Sequence, residues 1–413
     1  MPEESLDAIV AILELVRRGR AHSRTEIVER TGLSRAIVTQ RVNELLARGF
    51  VFETAAPSTG GRPPRQLEFR ADAGHTLVAD IGATSIDVAL ADASGRLLAH
   101  HGEPADVAAG PVIVLGRVEA LFDRLLAESQ PPGPLWGLGI GLPGPVEFRT
   151  GHPASPPIMP GWDGYPVREH FTERHGVPVW VDNDVNIMAL GEWRRGAARG
   201  HRNLIFVKVG TGIGSGIISN GLIHRGAQGS AGDIGHIRVV AETEEVCRCG
   251  NVGCLEALAG GGAIGRDAAA LARDGRSERL AGILEDQAAL SARDVAQAAS
   301  MGDAAALELL QRSGRLLGQT LAGLVNFFNP SLILIGGGVA GAGDAYLATV
   351  REMIYARSAP LATRDLVVQL SRLGHRAGVT GAASMVLDQL FSAEHLGRWI
   401  DKGQPAGLEI AAA

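Results

Sequence analysis

The chain has 413 residues, of which 46% are hydrophobic and 20% are charged, and its net charge is -6. This composition predicts two or three globular domains with ample core, and it excludes a disordered chain and a protein that is basic over its whole surface. No long apolar run predicts a membrane helix, and the acidic N-terminal segment argues against a secretory signal. A bacterial cytoplasmic protein with no membrane partner is therefore expected.

Residues 1–72 are predicted to form a winged helix-turn-helix domain. Apolar residues recur at helical spacing in 5–18, Ser23 and Glu26 form a capping-box pattern, and Gly32 ends the second helix. Ser34 caps a third helix, whose inward side is predicted to consist of Ile37, Val38, Val42, Leu45 and Leu46. Two helices joined by a tight turn that contains glycine are typical of a helix-turn-helix.

The outer face of the third helix and the wing after it carry residues suited to DNA. Six arginines face three acids between residues 34 and 70, so this part is locally basic on an acidic protein. Major-groove contacts are predicted for Ser34, Arg35, Thr39, Gln40 and Arg41. Strands at 50–53 and 66–69 flank a tip in which Arg62 and Arg65 suit a narrow minor groove. The alternatives are a protein-docking module and an ordinary linker.

From residue 76 onward, apolar strands end in glycine-rich turns. Three such turns suit a nucleotide held between two lobes, in which Asp80 can hold magnesium through water. The alternative is tight turns beside a closely packed sheet. The candidate nucleotide contacts are Asp80, Gly82, Thr84, Gly210, Thr211, Gly212 and Gly337.

Asp184 stands where a predicted strand ends and a helix begins. A carboxylate at the carboxyl end of a strand faces a cleft, where it can accept the proton of a sugar hydroxyl during phosphoryl transfer. Asn183 beside it can hydrogen-bond to sugar hydroxyls. The alternative is that Asp184 merely caps the helix.

All three cysteines lie between residues 247 and 254, with a histidine upstream. The spacing His-x10-Cys-x-Cys-x4-Cys, formed by His236, Cys247, Cys249 and Cys254, predicts a closed structural zinc site in a reducing compartment. The alternative is three unrelated reduced cysteines. Lysine is nearly absent, and we interpret the isolated Lys208 and Lys402 as codon bias of a GC-rich genome.

In order and combination these motifs resemble those of the ROK family (repressor, open reading frame, kinase). The matching segments are 80–84, 139–146, 182–186, 210–216, 232–236 and 247–256. The resemblance implies an α/β fold: a winged helix-turn-helix followed by a two-lobed, actin-like (hexokinase-type) ATPase fold. It places the first lobe at 73–185, with helix 378–392 returning to it, and the second lobe, with the zinc site and oligomer interface, at 186–377. The N-terminal domain is similar to that of the branch with xylose and N-acetylglucosamine repressors.

The resemblance also implies roles for single residues. Sugar contacts are expected at Gly144, Asn183, Asp184, Asp233, His236 and Glu256, and Asp184 would be the catalytic base only in an active kinase. Three positions depart from the kinase pattern: Asp233 replaces Glu, Ile158 replaces Asn, and Ser85 replaces Lys. These departures argue against kinase activity and against ordinary glucose specificity.

We therefore expect a sugar-responsive repressor of carbohydrate uptake or utilisation genes, associated with the nucleoid. Its partners would be a palindromic double-stranded DNA operator, a monosaccharide or sugar-phosphate effector, and its own copies in a homodimer or homotetramer. The alternatives are a sugar kinase with a DNA-binding appendage and an interaction scaffold with a vestigial pocket. Whether Mg-ATP binds is left open.

Overall fold

The computed structural model describes residues 3–55 and 65–410. The N-terminal unit consists of helices α1 (Glu3–Arg17), α2 (Arg24–Thr31) and α3 (Arg35–Ala47) and strands β1 (Val51–Ala55) and β2 (Arg65–Phe69). The two strands form an antiparallel wing. This is the predicted winged helix-turn-helix. The tip of the wing, 56–64 with Arg62, lies outside the described residues.

The local signals that define these helices act as predicted. The Ser23 side chain accepts a hydrogen bond from the Glu26 N–H, Gly32 ends α2 with φ of 71°, and the Ser34 side chain accepts from the Ile37 N–H. The prediction that Ile37 faces inward is wrong, because this residue is 41% exposed. Val38 and Val42 define the buried stripe of α3, and Ile37 lies on the neighbouring stripe with polar residues.

The first lobe is built on a five-stranded sheet with the order β5-β4-β3-β6-β9. Strands β3, β6 and β9 are parallel, and β4 and β5 are antiparallel additions. Its strands and the small hairpin beside them are β3 (His75–Ile81), β4 (Ser85–Asp92), β5 (Leu97–Pro104), β6 (Leu135–Leu142), β7 (Val146–Glu147), β8 (His152–Pro153) and β9 (Val179–Asn183). The helices of this part of the chain are α4 (Pro111–Ser129), α5 (Val167–His175) and α6 (Asp184–Arg195).

The second lobe repeats this topology, with the strand order β12-β11-β10-β13-β14. Its strands are β10 (Leu204–Val209), β11 (Ile213–Ser219), β12 (Leu222–His224), β13 (Leu332–Gly336) and β14 (Val367–Leu370). The helices that follow α6 are α7 (Leu255–Ala259), α8 (Gly261–Arg273), α9 (Glu278–Asp286), α10 (Ala292–Ser300), α11 (Ala304–Phe328), α12 (Asp344–Arg357), α13 (Pro360–Thr363), α14 (Ala377–Leu390) and α15 (Ala393–Trp399). Two sheets of the same order and strand direction make the duplicated, actin-like arrangement that was predicted.

A pair of helices separates the two sheets. Helix α14 packs on β3 and β6 of the first sheet, and α6 packs on β10 and β11 of the second. The two helices approach so closely that a Cβ at Gly381 would lie 1.6 Å from the Ile187 carbonyl oxygen. Only glycine fits there, so this contact fixes the distance between α6 and α14.

The N-terminal unit shares a hydrophobic core with the first lobe. Phe50, the residue before β1, packs against Trp136 of β6 and Trp399 of α15, with ring centroids 6.3 and 5.5 Å away. All three side chains are at most 2% exposed. The winged helix is therefore packed against the body through buried aromatic side chains.

Among the described residues, none of the helices combines the length and the apolar character that crossing a membrane requires.

Candidate functional site

We call the region in which the carboxyl ends of β3, β9 and β10 meet the cleft, and Asp184, the first residue of α6, lies in it. Asp184 follows β9 directly and is only 3% exposed. Its Oδ2 accepts a hydrogen bond from the Lys208 Nζ at 2.5 Å. Because Lys208 lies on β10, this ion pair joins the two lobes across the cleft.

Asp80, at the end of β3, is a second buried acid near this ion pair. Its Oδ1 has no hydrogen-bond partner among the described residues. Burial raises the pKa of Asp80 to about 8, against the opposing charge of Lys208 and with the support of Asp184 and Asp87. Burial lowers the pKa of Lys208, but the carboxylates of Asp184 and Asp80 outweigh burial, and the net shift is upward. At neutral pH the cleft therefore holds an ion pair beside a protonated carboxyl group.

Asn183, not Asp184, caps α6. The Asn183 Oδ1 accepts from the Val185 N–H at 2.9 Å, and its Nδ2 donates to the Gly144 carbonyl oxygen at 2.9 Å. Asn183 thus ties the loop at Gly144 to the start of α6 and places Asp184 beside it. The helix cap that was considered as an alternative role for Asp184 is therefore formed by Asn183.

The three glycine-rich turns lie at strand ends facing the same cleft. Thr84 is exposed in the β3–β4 turn, where the Gly82 N–H donates to the Ser85 carbonyl oxygen at 2.8 Å. In the β10–β11 turn the Gly210 N–H donates to the Gly212 carbonyl oxygen at 2.9 Å. Gly337 lies against the strand before that turn, since a Cβ there would lie 2.4 Å from the Val209 carbonyl oxygen. The second and third turns are therefore adjacent.

His236 connects the cleft with the cysteine cluster. Its Nε2 lies 3.8 Å from Asp233 Oδ1, and its Nδ1 lies 3.5 Å from Cys247 Sγ. Burial raises the pKa of Asp233, although His236 opposes the shift. Glu256, one residue into α7, supports the β10–β11 turn because its Oε2 accepts from the Ile213 N–H at 3.1 Å. The predicted sugar contacts at these three positions thus belong to one wall of the cleft.

The four predicted metal ligands come together. One ligand atom each from His236, Cys247, Cys249 and Cys254 lies within 4.8 Å of all the others. Cys249 Sγ and Cys254 Sγ are 3.8 Å apart, and Cys247 Sγ is 3.5 Å from the histidine Nδ1. A tetrahedral ion with metal–sulfur bonds of about 2.3 Å and metal–nitrogen bonds of about 2.0 Å requires edges of about 3.8 and 3.6 Å. The cluster therefore fits a closed tetrahedral metal site.

The face of α3 that was predicted to meet DNA is open at Ser34, Arg35, Thr39 and Gln40. Arg41 is turned along the helix toward Glu44, 2.5 Å away, and its side chain is only 15% exposed. On the wing, Arg65 pairs with Glu53 at 2.7 Å. Arg35 forms no ion pair in the part of the chain that the structure describes, and it is therefore the more available cation.

An ion cluster that the sequence analysis missed joins this DNA-binding unit to α6. Asp388 of α14 accepts from Arg17, the last residue of α1, and from Arg18 after it at 3.1 Å each, and from Arg194 of α6 at 2.5 Å. Burial raises the pKa of Asp388, but the three guanidinium groups outweigh burial and the net shift is downward. We refer to these four residues as the Asp388 cluster.

The sequence analysis also missed the role of Lys208. The available signal was its rarity, because Lys208 and Lys402 are the two lysines of the chain. That rarity was interpreted as codon bias, and the ion pair with Asp184 shows that this interpretation overlooked a contact inside the cleft. The signal for Asp388 was its position as the one charged residue in the otherwise uncharged sequence of α14.

The sequence profile of the ROK family matches residues 76–389. The xylose repressor of Caldicellulosiruptor bescii is 30% identical over 383 residues, which cover 92% of this chain and 95% of that protein. The glucokinase of Halalkalibacterium halodurans is 35% identical over 316 residues, which cover 76% of this chain and 96% of that protein.

Among solved structures, one described as a ROK family transcriptional regulator, a homologue of the Escherichia coli MLC protein, is similar along the whole chain. Its TM-score is 0.82 at 26% identity, and the match covers 97% of this chain and 100% of that one. The predicted fold class is thereby confirmed. The two regulators match more than nine tenths of this chain, whereas the glucokinase matches about three quarters.

Proposed function

Because this chain belongs to the ROK family, we propose that it is a sugar-responsive, DNA-binding transcriptional repressor. One observation carries the proposal: helix α6 starts in the cleft and is linked at its other end, through Asp388 of α14, to the DNA-binding unit. Helix α6 begins with Asp184 in the cleft and carries Arg194 of the Asp388 cluster near its other end. At 12 residues the helix spans about 18 Å and is short enough to move as a rigid rod.

The sugar binds on the wall formed by Gly144, Asn183, Asp184, Asp233, His236 and Glu256. It changes the affinity for DNA only if it binds the two arrangements of the lobes unequally. A shift of Asp184 toward a sugar hydroxyl displaces α6 along its axis. Arg194 transmits this displacement through Asp388 to Arg17 and Arg18 at the end of α1. We place the domain boundaries at residues 72 and 185. The second boundary falls within the first turn of α6, the helix that links the two lobes along this path.

The DNA ligand is a palindromic operator in the cytoplasm, at the nucleoid. Ser34, Arg35, Thr39, Gln40 and Arg41 enter the major groove, and Arg62 and Arg65 follow the wing to the minor groove. A homodimer or homotetramer places two copies of α3 about one helical turn of DNA apart. Arg41 must leave Glu44 to contribute.

Zinc fits the cysteine cluster best. Three thiolates and one imidazole suit a structural zinc ion and leave no position open for a catalytic water. The ion would fix the loop that carries Asp233 and would set the His236 ring, whose Nε2 stays free for the sugar. Its role is thus to hold the sugar-binding wall.

A sugar kinase with a DNA-binding appendage is the second candidate function. The similarity to a glucokinase and the retained Asp80, Gly82 and Thr84 favour it. The aromatic packing between the winged helix and the body argues for a DNA-binding unit that works together with the cleft.

The deciding experiment measures binding of the protein to its own upstream DNA while monosaccharides and their phosphates are titrated, with and without Mg-ATP. We expect one sugar to change operator affinity independently of ATP. Specific binding without a sugar effect, together with ATP turnover on a sugar, would instead establish the kinase.

The variant Asp184→Asn tests the pocket. It should bind the operator normally and lose the sugar response, with sugar affinity about 10- to 100-fold lower because a charged hydrogen-bond acceptor is lost. Asp123→Asn removes a carboxylate from a surface pair, with 59% of the side chain exposed, and should leave the response unchanged. An unchanged response in Asp184→Asn would count against the assigned pocket.

A further inference from the structure

Lys208 lies beside Asp184 and Asp80, the two acids that would hold a divalent cation if the cleft worked as that of a kinase. The nearest strand neighbours of Lys208 are glycines, Gly214 on β11 and Gly336 on β13. They leave the long side chain room to cross the sheet. A Cβ at Gly210 would lie 3.5 Å from Lys208 Cε, so the side chain runs beside the β10–β11 turn before its ammonium reaches Asp184.

The ammonium is already matched by one carboxylate, because Lys208 Nζ forms its ion pair with Asp184. Asp80 lies beside this pair as a protonated carboxyl group at neutral pH, and Asp87 lies 2.9 Å from His100. Neither Asp184 nor Asp80 is therefore free as a ligand of a magnesium ion or as a holder of its water. A second cation in the same place would meet a partly buried positive charge at short range.

We propose that Lys208 replaces the divalent cation of the cleft, so that the protein binds its sugar without Mg²⁺ or nucleotide and does not phosphorylate it. The residues of the cleft do not fit Mg-ATP for this reason, although Asp80 and the glycine-rich turns are retained. Among the described residues the ion pair with Lys208 uses Asp184 Oδ2, which leaves Oδ1 to accept from a sugar hydroxyl. This inference rests on the proposed function only for the nature of the ligand.

The test measures Mn²⁺ binding to the full-length protein by electron paramagnetic resonance, first alone and then with the nucleotide analogue AMPPNP. Wild-type protein should bind Mn²⁺ no more tightly than Asp80→Asn does. Lys208→Met, which removes the charge and shortens the side chain by one atom, should bind Mn²⁺ on the order of ten-fold more tightly. Adding Asp80→Asn to Lys208→Met should abolish that gain. Lys402→Met, a change at the exposed second lysine, is the matched control and should behave as wild type.

Two results would overturn the proposal. The first is a wild-type protein that binds Mn²⁺ or Mn²⁺-AMPPNP more tightly than Asp80→Asn does. The second is a Lys208→Met protein that keeps its urea midpoint and operator binding but gains no Mn²⁺ affinity. If Lys208→Met does not fold, the comparison between wild type and Asp80→Asn still decides.

Operator binding with sugars is measured on the same preparations in buffer without Mg²⁺, so the two proposals fail separately. A sugar that acts equally well without Mg²⁺ supports both. Absence of any sugar effect would refute the sugar-responsive repressor function. The Mn²⁺ comparison would still test whether Lys208 replaces the divalent cation.

Discussion

The two ends of helix α6 carry opposite kinds of charge cluster. At the cleft end, three acidic side chains, Asp80, Asp87 and Asp184, lie around one ammonium. At the other end, three guanidinium groups surround the single carboxylate of Asp388. Both signs suit the helix macrodipole, with an acid at the first residue and a base in the last turn.

The clusters differ in how completely the oxygens of their acids are used, and we call a cluster saturated when both oxygens of its acid have a partner; the Arg17 Nε has none among the described residues. Both oxygens of Asp388 accept from arginines, with Oδ1 bound by Arg17 and Arg18 and Oδ2 by Arg194. In the cleft, Asp80 Oδ1 has no partner among the described residues. A saturated cluster fixes the position of an element, whereas an unsaturated one leaves sites for a ligand. The comparison predicts that one end of α6 serves attachment and the other serves sensing.

The largest expected effect comes from breaking the attached end. Asp388→Ala leaves three mostly buried guanidinium groups without their carboxylate and should lower the free energy of unfolding by about 3 kcal/mol, measured by urea denaturation. The matched control is Asp401→Ala, which removes the partner of Arg48 in a pair whose acid is 71% exposed. It should cost less than about 1 kcal/mol. Equal losses in the two variants would mean that the Asp388 cluster is an ordinary surface pair.

A smaller effect is expected when α6 is pushed away from α14 between its two ends. Gly381→Ala places a methyl group against the Ile187 carbonyl oxygen and should cost about 2 kcal/mol by overpacking. Because both ends of α6 shift together, it should also weaken the sugar response of operator binding.

Gly323→Ala is the control, since a Cβ at Gly323 of α11 meets no atom within 4 Å. The same substitution in this open helical position should stabilise the protein slightly, by up to about 1 kcal/mol. A Gly381→Ala protein as stable as this control would show that the contact between α6 and α14 is not tight.

Features with local signals were predictable from the sequence. The cap at Ser23 and the cysteine spacing that ends at Cys254 depend on residues close together in the chain, and the structure confirms the cap and brings the cysteines together. The duplicated lobes followed from the resemblance to a family. The inward orientation predicted for Ile37 was wrong because neighbouring residues of a helix point only about 100° apart around its axis, so a residue beside the buried stripe is easily assigned to it.

The ion pairs that define both ends of α6 were not predictable in this way. Lys208 and Asp184 are 24 residues apart on different lobes, and Arg17 and Asp388 are 371 residues apart. No periodicity links such residues, since folding alone brings them together. In both cases the sequence offered only a rare charge in an apolar setting, which indicates a buried partner without identifying it.

The smallest expected effect is a difference between the two ends of α6 in how their contribution to stability depends on pH. The pKa of Asp80 is raised to about 8, so between its unfolded value near 3.8 and 8 the folded protein holds a proton that the unfolded chain releases. Stability therefore falls as pH rises through this window. Between pH 6 and 7, wild type should lose about 1 kcal/mol relative to Asp80→Asn, whose amide does not titrate. Urea midpoints at the two pH values measure the difference.

The opposite end should be insensitive over the same interval. The pKa of Asp388 lies below its ordinary value, so its contribution to stability is complete above about pH 4 and is lost only as pH falls through the folded pKa. The stability difference between wild type and Asp388→Ala should therefore be equal at pH 6 and 7. If this difference changed with pH while the difference between wild type and Asp80→Asn stayed constant, the assignment of a saturated and an unsaturated end would be reversed. Lys208, whose pKa is raised, keeps its charge throughout this range and cannot produce the change.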